Sequence, residues 1–256
     1  MIIDVNTSLG HWPFRKLNHN TPKDLCRLMK KNGVARAWVA MMDCIFYKDV
    51  QVGNRDLAEA VKGREKKLKP VAVINPNFPG WEDDLTECVE RLGMSAVRLH
   101  PNYHNYSLAD DCFARFMDSA AAMNLIVQVA ARASDERMHH WHVKVPCTDL
   151  APLGKGAREH RDVKIIILNV RTPEANNIEG GLKDHENVFV DISHVESVNG
   201  VGELAEMIGS RRVLFGSQAP YQYMTSAVLK MQEADVDDAA KQNIFFKNAQ
   251  ELEGKP

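Results

Sequence analysis

The sequence has no long hydrophobic run and no excess of charge of either sign. No apolar stretch approaches the roughly 20 residues that a helix needs to span a bilayer. Lys and Arg number 32 against 34 Asp and Glu, the formal net charge is −2, and the basic residues are spread along the whole chain. Because nucleic acid binds to a concentrated basic surface, these absences argue against both a membrane-spanning and a nucleic-acid-binding protein.

Cysteine is scarce and irregularly spaced. An odd count without a C-x-x-C pair argues against a disulfide framework. The five are Cys26, Cys44, Cys88, Cys112 and Cys147. Residues 1–5 (MIIDV) have the pattern of a strand and leave no room for the charged and apolar regions of a signal peptide. We therefore expect a soluble, cytoplasmic protein.

Short apolar runs alternate with longer helical patterns, which is typical of βα units and a parallel sheet. The runs are rich in Val, Ile and Leu and lie at residues 2–5, 35–40, 69–74, 95–99, 125–129, 163–168, 188–191 and 212–215. Eight strands close a parallel barrel, and about 250 residues commonly form one such domain. The sequence has no internal repeat and no linker. We predict an α/β fold, a (β/α)8 TIM barrel, as one domain over residues 1–256 with an extra C-terminal helix near residues 237–252.

Two predicted connections are long, at residues 9–20 and 130–149. Loops after the carboxyl ends of barrel strands build the functional site, so these loops are the candidates for its lid and wall. The first contains the stretch His11-Trp12-Pro13-Phe14, which we interpret as an apolar lid with His11 in contact with a ligand.

Four segments together resemble amidohydrolase family 2. Residues 3–8 (IDVNTS) are similar to its opening I-D-x-H-x-H strand, and residues 212–220 (RVLFGSQAP) are similar to its closing L-F-G-S-D-x-P. Residues 187–193 (NVFVDIS) match its N-V-y-v-D-x-S strand, and residues 243–249 match its terminal I-x-x-x-N-A helix. The resemblance spans the chain and implies a hydrolase or a decarboxylase on a TIM barrel.

The sequence departs from this family where the resemblance implies a divalent metal. The family's ligands are the two histidines of H-x-H, histidines after strands 5 and 6, and the aspartate of G-S-D. The matching positions hold Asn6, Ser8, Gln128, Asn169 and Gln218. Amide oxygens leave a divalent charge uncompensated, and without the ion a water keeps its pKa near about 15.7 instead of about 7. We therefore expect no metal and no other cofactor. The five side chains either contact a ligand or merely fill the space.

Ionisable residues remain at the predicted strand ends. Arginines there predict a substrate with a carboxylate or phosphate, although pairing with local acids is the alternative for each of them. The arginines are Arg98, Arg132, Arg137 and Arg171, and the nearby acids include Asp135. Strand alternation places Arg98 and His100 on the same side. His100 and His194 are candidates for a general acid or base, with Asp191 as a candidate to orient His194.

Three functions follow from these residues. The first is an enzyme that hydrolyses a C–N or C–O bond, including a lactone, or decarboxylates a small anionic or polar molecule without the family's metal. The second is a non-catalytic ligand-binding pseudoenzyme. The third is a hydrolase whose metal has moved to His100, His139, His142 or Asp191. A small molecule is the expected partner, nucleic acid and membranes are not, and the sequence leaves open whether the chain forms a homo-oligomer.

Overall fold

The computed structural model describes residues 1–254 as a ring of parallel strands that alternates with helices. The strands are β1 (Ile2–Leu9), β2 (Val34–Met41), β3 (Leu68–Pro70), β4 (Ala72–Val73), β5 (Ala96–Leu99), β6 (Ile126–Ala130), β7 (Lys164–Leu168), β8 (Val188–Asp191) and β9 (Val213–Leu214). Strands β3 and β4 share one of the eight positions, because the chain stops pairing with β2 at Pro70 and pairs with β5 from Ala72. Each predicted apolar run therefore contains a strand.

Backbone hydrogen bonds close the ring where regular pairing is interrupted. Parallel pairing joins β1 to β3 in order and β4 to β9 in order. Between β3 and β4, the N–H of Val71 donates to β2 over 2.8 Å. At the other gap, Val5 N donates to Phe215 O over 3.0 Å, and Ser8 N donates to Ala219 O over 2.8 Å. The predicted TIM barrel is confirmed.

The helices surround this ring. They are α1 (Pro22–Lys31), α2 (Val50–Val61), α3 (Trp81–Thr86), α4 (Asp111–Ala122), α5 (Leu153–Glu159), α6 (Thr172–Ala175), α7 (Gly200–Ile208), α8 (Met224–Glu233), α9 (Asp238–Gln242) and α10 (Asn248–Glu253). Helix α1 begins at a proline after Thr21, whose side chain accepts a hydrogen bond from Asp24 N and so caps the helix. Between residues 1 and 254, no helix has the length and apolarity needed to cross a membrane.

The last helix joins the chain end to the barrel. Helices α9 and α10 are continuous through a π-helical stretch, Asn243–Lys247. The buried side chain of Asn248 donates hydrogen bonds to Ser210 O and Val213 O, and Trp38 Nε1 donates to a Glu253 carboxylate oxygen over 2.6 Å. A helix is therefore present where the C-terminal extension was predicted. The assignment of all residues 1–256 to one domain stays a prediction.

The barrel strands are buried on both faces, as their Val, Ile and Leu content predicts. Three consecutive residues of β7, Ile165 to Ile167, are fully buried. Strand β1 differs, because every second residue from Asp4 to Ser8 is polar and yet buried. Its polar side chains converge with others at the carboxyl ends of the strands.

Candidate functional site

Polar side chains from several strands surround one small cavity at the carboxyl ends of the barrel strands. Its volume is about 10 Å³, which is room for about one water molecule. The polar residues that line it are Asn6, Ser8, Arg98, His100, Asn169, Gln218 and Tyr221. All of these except Tyr221 were predicted from the sequence. Tyr221 directly follows the closing motif, which is the signal that could have found it.

Asn6 connects three strands at the floor of the cavity. Its Nδ2 atom donates to Asn169 Oδ1 over 2.6 Å and to Asp191 Oδ2 over 2.8 Å. The Asn169 side chain also accepts from Ser193 Oγ over 3.0 Å and donates to Arg132 O over 2.7 Å. The amides thus form a connected network, and both N–H groups of the Asn6 side chain donate to neighbours.

Asp191 lies beneath this network. Besides Asn6, its carboxylate accepts from Asn169 N over 2.9 Å and from Ser193 Oγ over 3.0 Å. Burial raises the pKa of Asp191 above its usual range, and these donors oppose that rise. No hydrogen bond joins Asp191 to His194 in the described chain, so the orienting pair considered from the sequence does not form. Asp191 holds the floor together.

Arg98 reaches the cavity from β5. Its Nε donates to Gln128 Oε1 over 2.8 Å, and its Nη1 donates to Thr7 O over 3.2 Å and to Ser8 Oγ over 3.3 Å. Gln128 is oriented by its own hydrogen bond to Val5 O over 2.8 Å. Burial lowers the pKa of Arg98 to about 10, which leaves the guanidinium charged at neutral pH.

Three buried polar atoms of the cavity residues have no hydrogen-bond partner. They are Nη2 of Arg98, Nδ1 of His100 and the hydroxyl of Tyr221. An unsatisfied buried polar atom costs free energy, so three on residues around one cavity indicate a place for a polar ligand or water. Burial, with His104 and Arg98 nearby, holds the pKa of His100 well below 6.5, so His100 is neutral.

Comparison with known proteins decides the family. The amidohydrolase family model matches residues 15–252. The chain belongs to the amidohydrolase family. No match was found among curated proteins.

Solved structures with the same fold include decarboxylases of aromatic acids. A 2,6-dihydroxybenzoate decarboxylase from Rhizobium has a TM-score of 0.77 at 14% identity, over 98% of each chain. A 5-carboxyvanillate decarboxylase from Sphingomonas paucimobilis has a TM-score of 0.75 at 13% identity, over 98% of each chain. A dihydroxybenzoic acid decarboxylase from Polaromonas sp. JS666, with bound manganese and 2-nitroresorcinol, has a TM-score of 0.77 at 15% identity, over 98% of this chain and 96% of that one. At these identities the likeness is one of fold.

The side chains at the family's metal-ligand positions do not fit a divalent ion in this amidohydrolase. Asn6 donates through Nδ2 to Asn169 and Asp191, so the lone pairs that it could offer an ion are those of a neutral amide oxygen, a weak ligand. Gln128 Oε1 accepts from the Arg98 guanidinium. Gln218 Oε1 lies 2.7 Å from His194 Nε2, and Gln218 Nε2 donates to Ala133 O. The available oxygens are neutral, and the Arg98 guanidinium already donates to two of them, Gln128 Oε1 and Ser8 Oγ.

His194 lies behind Gln218 and does not line the cavity. The Nε2 of His194 lies 2.7 Å from Gln218 Oε1 and 3.1 Å from Gln222 Nε2, and Nδ1 has no partner among the described residues. Burial lowers the pKa of His194 below 6.5. His194 reaches the cavity only through Gln218, so the structure separates it from His100.

The other predicted arginines pair with acids. Arg132 donates to Glu136 over 2.8 Å and to Glu174 over 2.6 Å, and Arg171 contacts the same two glutamates at 2.9 and 3.3 Å. Neither arginine lines the cavity. For these two residues the structure supports the pairing alternative instead of the predicted contact with substrate.

Two site residues have positive φ angles, which residues other than glycine rarely adopt. The φ angles of Asn169 and Gln218 are 58° and 56°. The left-handed region is tolerated by asparagine and costs more for glutamine, so the surrounding hydrogen bonds must hold Gln218 in place. With these backbone conformations, both side chains lie in the hydrogen-bond network. The sequence pattern did not reveal the two positive φ angles.

The long loop after β1 covers the cavity with aromatic rings. The ring of Trp12 lies 4.9 Å from that of Tyr221 and 5.2 Å from that of Phe46, measured between centroids. Phe14 packs edge-on against Trp12 at 5.5 Å. An aromatic cluster therefore packs on Tyr221, and its role as a lid stays a prediction. The side chain of His11 is exposed and its backbone N donates to Asp43. His11 therefore does not line the cavity, although the sequence predicted a contact with ligand.

The relocated metal sites considered from the sequence do not assemble. Residues 139–142 are not helical, so His139 and His142 do not converge as i and i+3 residues of a helix. Within residues 1–254, the group with suitable spacing consists of Asp135, His194 and Glu196, whose ligand atoms lie within 4.8 Å of one another. Arg137 contacts both carboxylates, so an ion there would have to displace it.

Proposed function

We propose that this amidohydrolase hydrolyses a C–N or C–O bond of, or decarboxylates, a small carboxylate-bearing molecule without a divalent metal. The observation that carries the proposal is that three residues lining one cavity each have a buried polar atom without a hydrogen-bond partner: Arg98 Nη2, His100 Nδ1 and the Tyr221 hydroxyl. A guanidinium N–H and a phenol can both donate to a carboxylate oxygen or to developing negative charge. The imidazole supplies a site that can accept or donate a proton.

The proposed roles follow from charge and burial. Arg98 binds the anionic group through Nη2, since its other contacts are with neutral oxygens. His100 is neutral, so its Nδ1 either takes a proton from water or substrate or donates one, according to its tautomer. The Tyr221 hydroxyl donates a hydrogen bond to the anionic group that Arg98 binds. Asn6, Ser8, Asn169 and Gln218 shape the polar floor.

A second pocket provides room for the rest of a substrate. It has a volume of about 220 Å³ and shares Gln218 and Tyr221 with the small cavity. These two side chains therefore form the wall between them. A substrate larger than water must move Tyr221 and the Trp12 lid to place its carboxylate at Arg98.

The test is a screen of lactones, amides and carboxylates with the wild type, followed by His100→Gln and Arg98→Lys. His100→Gln is expected to lower kcat by at least about 100-fold, as is typical for loss of a general acid or base. Arg98→Lys is expected to raise KM, because lysine cannot reproduce the guanidinium contacts. His185→Gln is the matched control, because His185 is also buried and does not line the cavity. Unchanged turnover in the His100 variant would reject the proposed mechanism.

Two competing functions have distinct outcomes. A ligand-binding pseudoenzyme is favoured by the small, water-sized cavity, and it would show carboxylate-dependent thermal stabilisation with no turnover of any compound. A relocated metal site is favoured by the Asp135, His194 and Glu196 group. It would show a stoichiometric metal in purified protein that Glu196→Gln removes. The cytoplasmic location and the lack of a nucleic-acid partner stay predictions.

A further inference from the structure

The Arg98 guanidinium occupies an unusual position among the residues that replace the family's metal ligands. It donates directly to Gln128 and Ser8, and it lines the same water-sized cavity as the other three, Asn6, Asn169 and Gln218. One cationic side chain therefore contacts two of the five positions and lines one cavity with the other three.

Its surroundings differ from those of the neighbouring arginines. Arg132, Arg137 and Arg171 each form ion pairs with glutamate or aspartate. Arg98 is only 3% exposed, and no carboxylate forms an ion pair with it among residues 1–254. Its acceptors are an amide oxygen, a hydroxyl and a backbone carbonyl. The buried carboxylates of Asp191 and Asp4 attract Arg98 but lie beyond ion-pair distance. A buried charge is normally in direct contact with its partner, so this guanidinium needs an explanation.

We infer that Arg98 takes the place of the metal ion: it is the permanent positive charge of the cavity, and it keeps a divalent ion out. Neutral oxygens suit this role, because a guanidinium needs acceptors but no anionic ligand. The free Nη2 then leaves one donor for an anion. The inference rests on the proposed metal independence and adds that the exclusion depends on Arg98 as well as on the lost ligands.

A direct consequence is that restoring ligands is not sufficient to restore metal binding. The test introduces Asn6→His, Ser8→His and Gln218→Asp together, with and without Arg98→Met, and measures Zn²⁺ and Mn²⁺ affinity by equilibrium dialysis and metal analysis. Repulsion between like charges in a buried cavity leads us to expect at least about 100-fold tighter Zn²⁺ binding when Arg98 is absent. Methionine keeps much of the side-chain length without the charge.

The matched control combines the same three substitutions with Arg171→Met, which removes an arginine that does not line the cavity. This control is expected to bind Zn²⁺ as weakly as the triple variant. Circular dichroism and thermal melting report whether each variant is folded. If the triple variants do not fold, Gln218→Asp alone is compared with and without Arg98→Met, and tighter Zn²⁺ binding by about 10-fold or more is expected in the absence of Arg98.

Two results would overturn the inference, and they are distinguishable. Equal Zn²⁺ affinity with and without Arg98 would reject the role of Arg98 and leave the proposed metal-independent function standing. A stoichiometric ion in the wild type that depends on Ser8 and Gln218 would reject both.

Discussion

The Nδ2 atom of Asn6 lies 2.8 Å from Oδ2 of Asp191, and this hydrogen bond joins the first strand of the barrel to β8. The family's metal position thus holds a neutral donor directed at a buried carboxylate. Asp191 also accepts from Asn169 and Ser193, so its charge is distributed over neutral donors from three segments. The floor of the cavity depends on this arrangement.

The first prediction concerns Asn6→Asp, which places a second carboxyl group at this short distance. We expect a loss of about 3 kcal/mol in the free energy of unfolding at pH 8, as for a broken buried pair. Like charges raise the folded-state pKa of the pair, so stability is regained as the pH falls to 5. Urea unfolding at both pH values measures this. Asn6→Ala is the control, with a similar loss that does not change with pH in this way; an Asn6→Asp protein as stable as wild type at pH 8 would contradict the argument.

The second prediction is a pH dependence of stability from Asp4. Burial raises the pKa of Asp4 to about 7, although Ser217 and Asn6 N–H groups donate to it. The folded protein therefore binds this proton more tightly than the unfolded chain, whose Asp pKa is about 3.9. The free energy of unfolding is expected to fall by up to about 4 kcal/mol as the pH rises from 4 to 7.

Asp4→Asn keeps the shape of the side chain and an oxygen that can accept from the backbone N–H groups of Asn6 and Ser217. The substitution is expected to remove the pH dependence of stability that Asp4 causes. Urea unfolding of both proteins from pH 4.5 to 8 gives the comparison, and the difference between the two curves reports Asp4 together with its repulsion of Asp191. Parallel curves would show that Asp4 is ionised throughout.

The third prediction separates function from stability at Tyr221. Its buried hydroxyl has no partner, so Tyr221→Phe is expected to leave stability unchanged or raise it by up to about 1 kcal/mol. The same change is expected to weaken carboxylate binding or turnover by about 10-fold, since the hydroxyl is a proposed ligand donor. Tyr106→Phe is the matched control, because the Tyr106 hydroxyl is also buried and unpartnered but lies outside the cavity. An equal loss of binding or turnover in Tyr221→Phe and Tyr106→Phe would reject the proposed role of the Tyr221 hydroxyl as a ligand donor.

The fourth prediction compares two arginines that share the same glutamate partners. The Arg132 side chain is 1% exposed and that of Arg171 is 34% exposed. Arg132→Ala is expected to cost about 3 kcal/mol in thermal or urea unfolding, because it also abandons Asn169 O, to which Nη1 donates over 2.6 Å. Arg171→Ala is expected to cost less than about 1 kcal/mol, since water screens its ion pairs. A larger loss of stability in Arg171→Ala than in Arg132→Ala would show that burial does not determine how much these ion pairs stabilise the fold.

The positions of the candidate residues could be predicted better than their roles. Strand alternation placed Arg98 with His100, and the closing motif placed Gln218 at the carboxyl end of the last strand. The assignment of Arg132 and Arg171 to substrate binding was not supported, because Arg132 pairs with Glu136 and Arg171 with Glu174 on its own segment, and each arginine also contacts the other glutamate. The local pairs lie within four residues and are visible in the sequence, whereas the pairs between the two segments leave no periodic signal.

The sequence by itself determined the barrel, since eight apolar runs separated by helical patterns can bury both faces of a parallel sheet in few other ways. It also determined that amides and a hydroxyl stand where ligands would be. Only the tertiary structure decided which arginine lacks an acidic partner, which polar atoms lack hydrogen bonds and how little space remains among them. Those properties depend on distances of a few ångströms between residues far apart in the chain, and a one-dimensional pattern does not fix such distances.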